Sequence, residues 1–277
     1  MLCSSLVSTL ARRIAACAIL SSLYAAGLGQ TPSISSAAAP LANGAWRAWL
    51  ETPGGELPFA LELAREGAAW RAAVENGTER LAVPEVELAQ VEGAPVRLLL
   101  AFPHYDSRID AEVSADGRSL AGTWRKRRGA SEVQELRFHA RAGAAPRFTA
   151  DLLHAPPRDA DPAELAREKR AAIERARGRF AVRFTSSADP AVALFEVDDD
   201  GTARGTFLTT TGDYRYLAGQ LDRAFAGDDG LVGCDDDGEA HHFLRLSCFD
   251  GAHAFLFSAE VNADGTLAGG FWSGAQH

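Results

Sequence analysis

His104, Tyr105, Asp106 and Arg108 crowd one short segment, Phe102 to Ile109. A histidine beside a carboxylate is the minimal kit for moving a proton. Successive side chains on an extended strand point to opposite faces, so His104 and Tyr105 do not naturally converge. A similar segment further on, Leu246-Ser247-Cys248-Phe249-Asp250, keeps the aromatic and the Asp but lacks the His. That pattern predicts an Asp that organises a turn and an aromatic that packs, rather than an acid/base pair. The stretch Thr209 to Tyr216 is polar, aromatic and loop-like, and Thr211, Asp213, Tyr214, Arg215 and Tyr216 are its candidates for a surface that meets a ligand or partner. The structural alternative is a hairpin turning at Gly212-Asp213, with Tyr214 and Tyr216 on one face of the returning strand.

Metal chemistry finds little footing. The acidic runs Asp198 to Asp200 and Asp235 to Asp237, with Asp228 and Asp229, offer hard oxygen ligands, but neither has EF-hand spacing or its closing Glu. His241 and His242 are neighbours, diverge on a strand, and match no zinc spacing. Neither a metal nor a cofactor is expected. Cys234 and Cys248 can bridge, which in the chain-entropy picture is worth ~3 kcal/mol; the alternative is one buried thiol and one loop thiol. No CxxC is present, nor a nucleophile elbow, P-loop or dinucleotide fingerprint, so no catalytic residue is assigned.

Residues 1–29 lack Asp and Glu, carry Arg12 and Arg13, and continue in an apolar run to Gly29, which reads as a secretory signal peptide. Export to the periplasm or beyond is expected, with a membrane-anchored form if the leader is retained. Residues 30–43 are a flexible spacer rich in Ser, Ala and Pro. The whole sequence has a net charge of -9, which repels phosphate backbones and disfavours nucleic acid as a partner.

The elements that would position any site are strands written twice. Gly44-Ala45-Trp46 lies over Gly178-Arg179-Phe180, and Leu61-Glu62-Leu63 over Phe195-Glu196-Val197, without a gap. Ala111 to Gly117 matches Ala259 to Gly265, and Leu120-Ala121-Gly122 matches Leu267-Ala268-Gly269. Apolar, turn and charged positions agreeing in one order indicate an internal duplication. Asn76-Gly77, Asp116-Gly117, Asp200-Gly201 and Asp264-Gly265 supply hairpin turns between short alternating runs; the Asn76-Gly77-Thr78 sequon is read as such a turn. The fold expected is mainly β: two tandem antiparallel meander domains, barrel-like or curled sandwiches, of roughly eight strands each. Their bounds are 44–140 and 178–277, with a linker over 141–177. The linker carries one helix, Ala163 to Arg177, capped by Asp161 with Pro162 at its first position. With only Leu165 and Ile173 large, that helix is expected to lie loosely on a domain surface or to span between the domains. The first copy continues past Trp124 through a basic turn into another alternating strand, Glu132 to His139, whereas the second stops soon after Phe271-Trp272. The second domain is therefore expected to lack its last strand, as in a chain shorter than its family's normal length.

Gly205 to Gly219 (GTFLTTTGDYRYLAG), Leu244 to Phe257 (LRLSCFDGAHAFLF) and Phe271 to Gly274 (FWSG), with Phe102 to Ile109 and Gly122 to Arg127 in the first copy, resemble the β-rich amino-terminal region of exported TlpA-like proteins of the thioredoxin superfamily. The resemblance implies an extracytoplasmic, redox-associated setting. It implies a binding or scaffold module without catalysis of its own, whose partner is a periplasmic redox protein or thioredoxin-fold domain. The family's catalytic residues have no matching positions here. The alternative function is a lipocalin-like carrier that uses one barrel interior for a small ligand.

Overall fold

The computed structural model describes residues 41–275 except 92, 130, 146, 149–159, 186, 211 and 226–239, and except the side chains of 213–215, 224–225 and 240. The signal, most of the spacer, Thr211 and Cys234 lie outside the described residues, as do the acidic positions 228, 229 and 235–237. No helix among the described residues is long and apolar enough to cross a membrane.

The chain is mainly β, as expected, and its strands form two curled antiparallel sheets. The first runs β1 (Gly44–Thr52), β2 (Gly55–Glu66), β3 (Ala69–Asn76), β4 (Glu79–Ala82), β5 (Glu85–Ala89), β6 (Arg97–Phe102), β7 (Ser107–Val113), β8 (Ser119–Arg128) and β9 (Glu132–Ala142). β9 lies between β8 and β1, so the meander returns on itself. The only interruption of the ladder among these nine is between β4 and β5, where Val83-Pro84 intervenes. Proline has no N–H for the ladder. β4 stays with β3 and β5 with β6, one strand in two pieces.

The linker helix α1 (Pro162–Ala176) starts where Asp161 accepts a hydrogen bond from the Ala163 N–H at 2.9 Å. Its last turns do not lie loosely: Ala172, Ile173 and Ala176 are buried in the second core. Small alanines are what let the helix approach that core closely. The second sheet follows as β10 (Gly178–Val182), β11 (Ala191–Val197), β12 (Thr202–Thr209), β13 (Gly212–Phe225), β14 (Ala240–Phe249), β15 (Ala254–Val261) and β16 (Leu267–Ser273), paired in strict sequence order. β13 is continuous where the first copy is split by Pro84, so nine and seven strands amount to eight positions and seven. Among the described residues β10 and β16 are the outer strands of this sheet, and none stands at the position that β9 takes in the first.

The turns follow the sequence signals: Gly77, Gly117, Gly201 and Gly265 all have positive φ. Inward-facing Trp46, Leu50, Phe59, Leu61, Phe138 and Trp124 fill the first barrel.

The two sheets pack against each other, and residues of β14, β15 and β16 enter the first core. β14 and β15 are buried on both faces. Leu244, Leu246, Phe255 and Phe257 belong to the second core, while Phe243, Phe249, Leu256 and Trp272 belong to the first. The Phe249 ring stacks on Phe59 at 4.5 Å and meets Phe102 and Trp124 edge-on at 6.0 and 5.7 Å. It sits on the β14–β15 hairpin and closes one end of the first barrel.

Polar groups finish the seam. Asn76 Nδ2 donates to the Phe249 carbonyl at 2.8 Å, and Asn76 Oδ1 accepts from the Phe249 N–H at 3.2 Å, so the side chain imitates a strand partner. The sequon asparagine is thus buried, at 1% exposure. Arg147 donates to Ser247 Oγ at 2.9 Å, the Ser247 carbonyl at 3.1 Å, Asn76 Oδ1 at 3.0 Å and the Glu75 carbonyl at 3.3 Å. Burial, opposed by Cys248 and reinforced by the charge of Arg47, holds its pKa down at about 10. Ser247 Oγ donates to the Pro58 carbonyl, Ser107 Oγ to that of Gly251, and Lys126 Nζ to that of Ala252.

Asp250 orders this hairpin, as expected of a turn-organising Asp. Its carboxylate accepts from the Ala252 N–H at 2.8 Å and the His253 N–H at 2.6 Å, and lies 3.1 Å from His253 Nδ1. Desolvation pushes its pKa up, but the His253 side chain and these backbone N–H groups outweigh it, and the net shift is downward. A carboxyl whose folded pKa is below its unfolded value contributes stability above the unfolded pKa, and loses it as pH falls through the folded one. Asp250→Asn is therefore expected to lower the urea midpoint at neutral pH by the equivalent of ~1 kcal/mol. The gap to wild type should narrow below about pH 4. A gap independent of pH would show that the carboxylate charge is not what orders the turn.

Candidate functional site

None of the catalytic-looking clusters converges. Pro103–Tyr105 form a 3-10 turn that ends in Asp106 with φ 49°. Asp106 faces Arg127 at 3.4 Å, and Tyr105 is 42% exposed instead of packed. Ladder register also moves the repeat match: Phe102 opposite Ser107 and Phe249 opposite Ala254 each close a four-residue connection. Phe102 therefore answers Phe249, not Leu246, and Asp106 is not the counterpart of Asp250. His241 Nδ1 is 2.6 Å from Glu260 Oε1. His242, next along the strand, is half-buried, and desolvation lowers its pKa, with Glu168 opposing and Arg223 reinforcing. Asp198 pairs with Arg204 at 3.0 Å and Asp199 with Arg177 at 2.7 Å, so the first acidic run is an ion-paired turn.

The expected contact surface is only partly described. The β12–β13 hairpin pairs Thr209 with Gly212 and Leu208 with Asp213, so Gly212 and Asp213 lie in the returning strand rather than forming the turn. Thr209 Oγ1 donates to the Gly212 carbonyl at 2.7 Å, which closes the earlier turn. Asp213 and Tyr214 pair with Leu208 and Phe207, and the register then shifts across the segment holding Arg215 and Tyr216. Tyr216 is 68% exposed. Cys248 is fully buried, and its expected partner Cys234 lies outside the described residues.

The site that sequence reasoning missed is inside the second sheet. A cleft of about 1000 Å³ opens between β10 and β16. Six phenylalanines line it: Phe180, Phe184, Phe195, Phe207, Phe257 and Phe271. They form one connected set of rings, with Phe207–Phe257 at 5.1 Å and Phe195–Phe257 at 5.5 Å. Phe184, just after β10, meets Phe271 of β16 at 5.6 Å across the opening. The floor is apolar, and the rim carries Arg183 and Asp189. α1 packs on the same core. Such a surface can take apolar or aromatic groups.

No family model matches the chain, and no curated protein matches it.

Proposed function

We propose that the chain is an exported, non-catalytic binding module whose ligand site is the open second half-barrel, held rigid by the filled first barrel. The observation that carries this is the contrast between the copies. The first interior is packed with Trp46, Phe59, Trp124 and Phe138, all at or below 1% exposure, whereas the second presents a phenylalanine-lined cleft of about 1000 Å³. The resemblance of residues 205–219, 244–257 and 271–274 to the β-rich region of TlpA-like proteins supports a periplasmic, redox-associated setting with a thioredoxin-fold partner. A lipocalin-like carrier is the second reading, favoured by the same six rings. An opening along a whole strand edge suits an extended partner better than an enclosed small ligand.

The site is tested with 8-anilinonaphthalene-1-sulfonate, which brightens in apolar clefts. Val182→Trp and Leu267→Trp add bulk where half-buried side chains line the cleft. Each is expected to weaken binding of this probe by about tenfold, roughly 1.4 kcal/mol. Tyr216→Ala, on the other candidate surface, should leave it unchanged. Probe binding that ignores the two tryptophans, or that follows Tyr216, would overturn the assignment. Reduction of insulin disulfides by dithiothreitol should run no faster with the chain than without it; acceleration would refute a non-catalytic role.

A further inference from the structure

We propose that the second half carries an anion site, separate from the phenylalanine cleft, in which Arg175 of α1 and Arg223 of β13, beside His242 of β14, hold a phosphate-type oxyanion. None of these side chains lines the cleft.

Strand alternation and helix packing bring these groups together. Leu221 of β13 and Leu244 of β14 lie in the second core, so Arg223 and His242, two residues away on each strand, face the same side. They stand directly opposite each other in the ladder. α1 lies on that side, with Ala172, Ile173 and Ala176 buried in the same core. Arg175 sits among those three, and Glu168 and Lys169 lie one turn before Ala172 and Ile173. The charges of all four helix and strand groups reach His242: after desolvation, which lowers its pKa most, Glu168 opposes the shift while Arg223, Arg175 and Lys169 add to it.

The cations exceed what the protein supplies to balance them. Arg175 and Arg223 are half-buried, and the Nε of each is enclosed without a hydrogen-bond partner. Neither arginine makes an ion pair among the described residues. Their terminal nitrogens are not enclosed in that way, so donors remain for a ligand. Glu168, the acid set against them, is exposed and makes no ion pair among the described residues either. Lys169, tied to the Asp200 carbonyl at 2.7 Å, stands at the edge and adds charge. A cation in the last turn of α1 suits the carbonyl end of the helix dipole, which accounts for Arg175. It does not account for a second guanidinium brought to the same imidazole. The sequence as a whole has a net charge of -9, so a surplus of cations here is local, and it focuses an anion on this place. Two planar forks suit a tetrahedral oxyanion, which each can bind through paired N–H groups.

The test is calorimetric titration of the full chain with inorganic phosphate and with glycerol 3-phosphate, and urea unfolding in phosphate and in chloride at equal ionic strength. Saturable binding is expected, weakened about tenfold by Arg175→Gln or Arg223→Gln. Arg175→Lys and Arg223→Lys should weaken it less, since they keep the charge and lose only the fork. In chloride both glutamine variants should be at least as stable as the wild type, because a repelling charge is gone. In phosphate at about a hundredfold over its dissociation constant the order should reverse, with the wild type the most stable. Arg179→Gln, at an exposed arginine of β10, should change neither binding nor that order. Tighter binding of glycerol 3-phosphate would identify an esterified phosphate as the ligand, and tighter binding of inorganic phosphate the free ion; either supports the site. Midpoints that phosphate and chloride move equally, or glutamine variants that bind phosphate as the wild type does, would overturn it. Should the glutamine variants fail to fold, the lysine variants decide by the same titration. Binding of a polyglutamate peptide without binding of either phosphate would show an acidic polypeptide there and overturn the small oxyanion.

Discussion

Phe249→Ala is expected to cost about 3–5 kcal/mol of stability, the range for removing a large buried aromatic side chain. The ring is fully buried among Phe59, Phe102 and Trp124, side chains that belong to the other half of the chain. Its backbone is held independently, because Asn76 pairs with the Phe249 N–H and carbonyl and not with the ring. The substitution thus removes packing while leaving the polar seam in place. Gly251 limits collapse into the cavity, since it already sits against the Phe102 ring with no room for even a Cβ. Urea unfolding followed by tryptophan fluorescence is the measurement. Four of the five tryptophans precede residue 125, the fifth being Trp272, so the signal reports chiefly on the first half. A substitution in the second half should move that signal's midpoint by the full amount, in one transition with an unchanged slope. A shift below about 1 kcal/mol, or two transitions of which only the later one moves, would mean that the halves fold as independent units.

That coupling was the part least legible in the residues. Alternation and Asx-Gly pairs are local signals, and they predicted the strands, the turns at Gly77, Gly117, Gly201 and Gly265, and the Asp161-Pro162 helix start. Partners distant in sequence have no local signature. The run Ala254 to Phe257 is apolar at every position, which is how a strand buried on both faces is written. Without knowing that one face meets another sheet, it reads merely as a strong strand. Asn76 shows the same limit: the Asn-Gly pair announces a turn, but not that its side chain reaches Phe249, and Arg147 sits in what reads as a plain linker. The phenylalanine cleft was hidden for a related reason. Its six rings come from β10, β11, β12, β15, β16 and Phe184, two residues past β10, and only the curling of the sheet brings them together.

Gly122→Ala and Gly269→Ala should each cost about 3 kcal/mol, at the upper end of what overpacking produces. Neither glycine needs a left-handed backbone; each lies in an extended strand where a neighbour comes too close. A Cβ on Gly122 would stand 2.0 Å from the Asp110 carbonyl oxygen and 2.6 Å from Ala111 Cα. On Gly269 it would stand 2.0 Å from the Ser258 oxygen and 2.5 Å from Ala259 Cα. The obstacle in both cases is backbone, which cannot rotate away as a flexible side chain can, so the ladder between the two strands must open. A glycine is what allows strands to coil this tightly in a closing sheet. The same pair of contacts recurs at matched places, β8 on β7 and β16 on β15, with Ala111 and Ala259 already aligned by the repeat. The two losses should be similar in size, and additive in the double variant, since they lie in different sheets and share no neighbour. Separate urea midpoints for the two single variants and the double variant decide the matter. A well tolerated alanine at one position and not the other would show that the sheets close by different geometry and that β16 is not the equivalent of β8.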